Sequence, residues 1–198
     1  AAPSANPFGK VSPTKAGHIS ESFGPDHPPV VDGGPTEVGI ESTVLDLSCS
    51  TTCILRPGPV SPAEIERILG TQPVLPGKTN DTKKPENTLS PGLLPRHYSP
   101  ASPLRIFPNL PILLDFLNKE GTPSPRTCLL VHAPLEEDKS LPSGLRVLPL
   151  SKTGEPDEIA HNLYARLREA DRRSPPLILC SLLPEEGIAR AINDRLRR

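Results

Sequence analysis

Six prolines, Pro73, Pro76, Pro85, Pro91, Pro95 and Pro100, fall within residues 73–102, together with the polar run KTNDTKKPEN. Each pyrrolidine ring fixes φ and removes a backbone donor. No apolar periodicity longer than one turn crosses the stretch, so neither a helix nor a central strand can pass through it. It reads as a linker that divides the chain of 198 residues into an earlier part, 1–72, and a later part, 103–198. A chain of this length fits one large domain or two small ones, and the linker decides for two. Pro and Gly number 28 and 14, a fraction below that of low-complexity disordered chains, so folded parts joined by Pro-rich connectors are expected.

The later part alternates in a regular way. LRIF, RTCLLVH, LRVLPL and PLILCSL have the β-branched and apolar character of buried strands. Between and after them come helical patterns around 112–118, around 155–172 and at the end of the chain. Strands and helices taking turns imply crossover units and a mainly parallel sheet. Over Pro156–Arg172 the residues Ile159, Leu163, Tyr164 and Leu167 share one face, as they would on a helix covering that sheet. The earlier part mixes short strands, IESTVLDL (40–47) and CILRPG (53–58), with two helix starts. Ser61-Pro62-Ala63-Glu64 is a capping box followed by Ile65, Ile68 and Leu69 on one face and by Gly70 at the exit, which predicts a helix over Pro62–Leu69. Ser12-Pro13 suggests another, Pro13–Ser22, with Ser12 as its cap. Two or three strands and two helices make a poor core of their own, so the earlier part reads as a piece of something larger. The absence of Met, at position 1 and elsewhere, points the same way.

The formal net charge of −1 excludes the global basic balance of many nucleic-acid or membrane-surface binders. No run approaches the roughly 18 apolar residues that span a bilayer, and the first residues lack the charged-then-apolar order of an export signal. A soluble, cytoplasmic protein is expected. Cys49, Cys53, Cys128 and Cys180 form no C-x-x-C pair and have no His at ligand spacing, which fits free thiols in a reducing compartment better than a disulfide framework or a zinc site.

Four stretches concentrate chemistry. A-P-S-A-N-P-F-G-K-V-S-P-T packs hydroxyls and an amide around Gly9, which suits anion binding by exposed N–H groups as well as an ordinary capped loop. V-D-G-G-P-T-E-V-G-I-E-S-T-V-L-D places Gly33-Gly34, Gly39 and the hydroxyls of Ser42 and Thr43 at a strand entrance. Arg56, in I-L-R-P-G, is either a solvated cation at a strand end or a phosphate clamp. S-P-G-L-L-P-R-H-Y-S-P, residues 90–100, brackets Arg96, His97 and Tyr98 with prolines, either as an exposed turn or as a loop held against a surface.

These stretches, in this order, resemble the YrdC-like family in its longer two-domain form, the L-threonylcarbamoyladenylate synthases, and the closing G-I-A-R-A-I-N-D-R-L-R-R resembles the end of that family's second domain. The resemblance implies an α/β protein: the C-terminal half of a YrdC-like catalytic domain (1–72), an extended linker with a lid segment (73–102), and a small Rossmann-like parallel-sheet domain (103–198). It implies a nucleotidyltransferase in which threonine and bicarbonate form a carbamate that attacks the α-phosphate of ATP, giving threonylcarbamoyl-AMP and pyrophosphate for the threonylcarbamoyladenosine modification of tRNA. ATP is then a substrate, with Mg2+ carried by the nucleotide. A downstream tRNA-modifying transferase complex is the implied partner, and no membrane is involved.

Residue by residue, Ser4, Asn6 and Ser12 resemble the family's phosphate-holding hydroxyl and amide groups, and Arg56 adds charge to the same polyanion. Ala2, through its backbone, and Ser42, through its hydroxyl, resemble contacts to threonine. Tyr98 resembles the residue that closes over the nucleotide, with Arg96 and His97 as weaker lid candidates. No covalent nucleophile is needed and no residue is implied as a metal ligand, since such transfer rests on positioning and charge neutralisation. Two departures stand out. The family's Lys-x-Arg motif, expected upstream of S-A-N, occurs nowhere in the 198 residues, and positions 94 and 95 are Leu and Pro where Lys and Tyr are expected. The chain is therefore expected to be an incomplete enzyme, inactive alone. A second function class is a regulatory or RNA-binding module, on the strength of Arg172, Arg173, Arg190, Arg195, Arg197 and Arg198, which serve equally as solvated helix-end cations.

Overall fold

The computed structural model describes residues 5–48, 50–75, 98–135 and 141–198. In chain order the described elements are α1 (Gly17–Phe23) with a short 3-10 turn at Gly24–Asp26, β1 (Val44–Asp46), β2 (Cys53–Arg56), α2 (Pro62–Leu69), β3 (Leu104–Phe107), α3 (Leu110–Glu120), β4 (Cys128–Val131), β5 (Arg146–Pro149), α4 (Pro156–Asp171), β6 (Ile178–Ser181) and α5 (Ala189–Leu196). The protein is α/β, as its alternation of signals implies.

The later part is a four-stranded sheet of order β3-β6-β4-β5, parallel throughout. Its strands are too apolar to show alternation because both faces are covered. On one face, Leu113 and Leu117 of α3 pack with Phe107, Leu129, Val131 and Leu179. On the other, Ile159, Leu163 and Leu167 of α4 and Ile192 of α5 pack with Leu130, Leu148 and Ile178. Cys128 and Cys180 are buried in that second layer, and burial pushes their thiols up to about 11 and about 12. They are packing groups with almost no thiolate at neutral pH. No helix among the described residues is long and apolar enough to cross a membrane.

The earlier part is thinner. β1 and β2 form one antiparallel pair, and α2 has the expected capping box, with Ser61 Oγ accepting from Glu64 N and Glu64 Oε2 accepting from Ser61 N. The other expected helix is corrected. It begins at Gly17, not Pro13, and no side chain caps it. The hydroxyl of Ser12 instead donates to Glu41 Oε1 at 2.7 Å, while Thr14 N donates to His18 Nδ1 at 3.0 Å. Tertiary and i,i+4 side-chain partners have taken the groups that a cap would have used.

The earlier part lies on the α4–α5 face. Val11 and Tyr98 are buried in the same cluster as α4 and α5, with Ile40 packed against it. The approach is closest at Gly39, whose φ is +84° and where an added Cβ would stand 2.4 Å from His161 O and 2.6 Å from Ala160 O. Backbone atoms of α4 cannot yield there. Gly34 has a similar φ, +88°, but open space around it. Gly34→Ala is therefore expected to cost about 1 kcal/mol of strain alone, and Gly39→Ala about 2 kcal/mol or more, because α4 must also move. Paired urea unfolding curves check this, and equal losses would show that the contact at Gly39 is not tight.

Candidate active site around Glu41

Two clusters of expected site residues meet at one carboxylate. The first surrounds a cavity of about 270 Å3 lined by Ala5, Ser12, Thr14, Gly39, Glu41 and Tyr164 among others. The second is Arg56, whose Nε donates to Ser42 O at 3.1 Å, whose Nη2 donates to Ser42 Oγ at 3.3 Å and whose Nη1 donates to the Tyr98 hydroxyl at 3.2 Å. Arg56, Ser42 and Tyr98 are thus brought together, outside the lining of that cavity. Glu41, the neighbour of Ser42, joins the two groups.

Each position has a local reason. Arg56 ends β2 opposite Val44 of β1, and its buried side chain reaches Ser42 at the entrance of that strand. The following turn is close, since a Cβ on Gly58 would meet Thr43 N at 2.2 Å. Tyr98 holds a φ of +65°, unusual for a bulky residue and costing on the order of 1 kcal/mol. It is retained because the side chain is 3% exposed, its ring lies 6.1 Å from that of Tyr164, and the Arg195 guanidinium stands over it at 5.7 Å. Burial, and then the charge of Glu41, raise the Tyr98 phenol above its ordinary value, so at neutral pH it keeps its proton.

Asn6 is turned to its own loop. Its Nδ2 donates to Pro7 O at 3.1 Å and Lys10 O at 3.0 Å, and its Oδ1 is buried without a partner among the described residues. Ala2, Ser4, Arg96 and His97 lie outside the described residues.

Four residues of this site were not expected in it from sequence, although Tyr164 was read on the apolar stripe of its helix and Arg195 among the C-terminal arginines. Glu41 Oε2 accepts from Tyr164 at 2.8 Å and from Arg195 Nε at 2.7 Å, while Oε1 accepts from Ser12. Arg195 also donates to Pro57 O at 3.0 Å. Arg168 Nε donates to Ser12 O at 3.4 Å, and its Nη2 to Val11 O. The one local signal was Tyr164, a hydroxyl-bearing ring in an apolar stripe, which needs a partner when buried. Burial alone would raise the Glu41 carboxyl, but Arg195, with the Ser12 and Tyr164 hydroxyls, holds it below the usual carboxylate range. The side chain of Arg195 is 0% exposed and that of Glu41 15%.

The family model described as threonylcarbamoyl-AMP synthase, C-terminal domain, matches residues 60–198. The chain belongs to the threonylcarbamoyl-AMP synthase family. A second model, described as telomere recombination, matches residues 1–58. The threonylcarbamoyl-AMP synthase of Bacillus subtilis is 34% identical over 198 residues, 100% of this chain and 56% of the relative. That of Pyrococcus abyssi is 34% identical over 209 residues, with the same two shares. The crystal structure of P. abyssi Sua5 complexed with L-threonine has a TM-score of 0.74 at 32% identity, covering 99% of this chain and 56% of that one. The chain spans about half the length of the curated relatives it matches.

Two outcomes are expected. Neutralising one member of a buried pair strands the other, so Glu41→Gln is expected to cost about 3 kcal/mol, and Glu41→Gln with Arg195→Met clearly less than the sum of the two singles. Chemical denaturation of the four proteins checks it. His18 is 1% exposed, and burial, then the Arg168 cation, push its imidazole down to about 4. The unfolded state binds the proton first, near the ordinary value of about 6.5. The stability from neutral His18 is present above that value and is lost as pH falls toward 4. His18→Asn keeps an acceptor for Thr14 N and is expected to flatten this loss, about 2 kcal/mol, in melts at pH 7, 5.5 and 4.5.

Proposed function

We propose that this chain carries the threonine-facing and part of the nucleotide-facing surface of a threonylcarbamoyl-AMP synthase, a cytoplasmic enzyme of tRNA modification. The supporting observation is that Arg56 bonds both Ser42, 14 positions before it, and Tyr98, 42 positions after it, so the residues expected to meet phosphate, threonine and the lid converge. In the proposed reaction the threonine nitrogen takes up bicarbonate with loss of water, giving a carbamate. A carbamate oxygen then attacks the α-phosphorus of ATP, and the bond to the β-phosphate breaks to release pyrophosphate. Arg56 would offset charge on the phosphates, Ser12, with Ser4 and Asn6, would hold phosphate oxygens once the Ser12 hydroxyl turns from Glu41 and the Asn6 amide from its loop carbonyls, and Ser42 with the Ala2 backbone would orient threonine. The P. abyssi relative was crystallised with L-threonine, which supports threonine as the amino acid.

Arg56 already has its internal partners, so substrate must exchange Tyr98 or Ser42 for phosphate. That makes Tyr98 suitable for a closing role, with Arg96 and His97, which precede it in sequence, as weaker candidates. Among the described residues no group of three or more His, Cys, Asp or Glu is arranged to hold a metal ion. Magnesium would arrive on the nucleotide, where it neutralises phosphate charge.

The RNA-binding alternative is less favoured by the side chains. Arg172 pairs with Glu21, Arg190 donates to Glu185 O, Arg195 is buried on Glu41, Arg197 pairs with Glu185 and Arg198 with Asp194. Of the six arginines these five are committed to internal partners, and the remaining one, the exposed Arg173, makes by itself a poor phosphate-tracking stripe.

Without a Lys-x-Arg clamp in its 198 residues, the chain is expected to bind ATP weakly, with Kd on the order of 0.1 mM, and Arg56→Gln is expected to weaken this about tenfold. Isothermal calorimetry reads both, and a pyrophosphate-release assay is expected to stay silent for the chain alone. Nanomolar ATP binding, or binding indifferent to Arg56→Gln, would overturn the assignment.

A further inference from the structure

We propose that the α/β unit, residues 103–198, acts on the site as a positioning scaffold through Arg168, Tyr164 and Arg195, which set the geometry of Ser12 and, through Glu41, of Ser42. The inference rests on the reading of Ser12 and Ser42 as substrate contacts and adds to it a task for the second unit.

The geometry is what a positioning device needs. Ser12 is gripped twice: its carbonyl accepts from Arg168 Nε at 3.4 Å and its hydroxyl donates to Glu41 Oε1 at 2.7 Å. Arg168 also holds the preceding carbonyl, that of Val11, and donates to Ser22 Oγ at 3.0 Å. One guanidinium therefore fixes the turn entering Ser12 and the end of α1 together. Glu41 is fixed from the same side by Tyr164, on the helix that carries Arg168, and by Arg195 on α5.

A helix that only covers a sheet needs an apolar stripe. Here α4 and α5 add three polar groups at the edge of that stripe, each of which bonds residue 11, 12 or 41, with further bonds from Arg168 to Ser22 and from Arg195 to Pro57. His161 Nδ1 donates to Glu37 O at 2.7 Å from the same helix, so the 37–41 loop is held at both ends. Because Glu41 and Ser42 are chain neighbours, a shift of the carboxylate carries the Ser42 hydroxyl with it, and Arg56 follows through its bonds to Ser42. Residues thus act on the site that need never touch substrate.

The test uses the chain with Tyr164→Phe, which removes one hydroxyl and keeps the ring, and Arg168→Lys, which keeps charge and loses the fork. Amide exchange by NMR reads the free protein at Thr14 N, bonded to His18, and Thr36 N, bonded to Thr14 O. Both variants are expected to speed exchange about fivefold at these amides and leave those of β3 and β6 unchanged. Equal acceleration everywhere, or none, overturns the proposal, since a merely structural contact would loosen the unit as a whole.

A second arm is an ATP-binding cycle with Ser12→Ala, Tyr164→Phe and the double variant. Tyr164→Phe is expected to weaken ATP about threefold, and the double variant no more than Ser12→Ala alone, because the hydroxyl acts through Ser12. Strict additivity overturns it. The chain has two tyrosines and no tryptophan, and Tyr98 and Tyr164 both sit in this network, so tyrosine emission follows the same titrations. If the unaltered chain takes up no ATP, the enzymatic reading falls, while the exchange arm still decides the positioning role.

Discussion

A single carboxylate, largely withdrawn from solvent, organises this protein. Glu41 costs solvation free energy where it stands, and the structure offsets that cost with a guanidinium and two hydroxyls drawn from three separate regions, α5, α4 and the segment at Ser12. A charge of this kind is strongly unfavourable without its partners, so the first segment cannot occupy its place unless α4 and α5 are already formed and correctly oriented. The apolar contacts of Val11 and Tyr98 with those helices supply free energy of association. The carboxylate supplies its register, because oil-like contact alone tolerates sliding and a set of directional bonds does not.

That arrangement explains why the fold places its substrate-facing candidates as it does. Arg56, Ser42 and Tyr98 hold one another on one side of Glu41, and Ser12 faces a cavity on the other. Such mutual satisfaction keeps buried polar groups from standing unpaired, and it means that a polyanionic ligand competes with bonds already made. Affinity then reflects a difference between two sets of hydrogen bonds, which favours discrimination over tightness.

Much of the architecture was legible from the residues, for reasons that are local. The helix Pro62–Leu69 was readable because its start and stop lie within ten residues of each other, in Ser61, Glu64 and Gly70. The parallel sheet followed from strands and helices in turn, with Ile159, Leu163 and Leu167 marking the face of α4 that is now buried. The helix at Ser12 was misplaced because a Ser-Pro start is a local signal, and here Glu41, 29 residues away, outcompetes it. The role of Glu41 was illegible because its decisive partner, Arg195, stands 154 residues later. The convergence of Ser42, Arg56 and Tyr98 was anticipated only through motif resemblance. Nothing in their spacing would have brought them together.

The strand order β3-β6-β4-β5 carries a consequence for how the molecule is made. β6 is the last strand in the chain, yet it lies between β3 and β4, so these two have no partner in each other when they leave the ribosome. Until Ile178–Ser181 inserts between them, the nascent sheet is split, with the edges of β3 and β4 that face β6 left unpaired. Closure then occurs late and at long sequence separation, which is slow by the loop entropy it must overcome. Arg195 follows within the next fifteen or so residues, so synthesis delivers the last strand and the counter-charge for Glu41 almost together, and the two halves mature as one event.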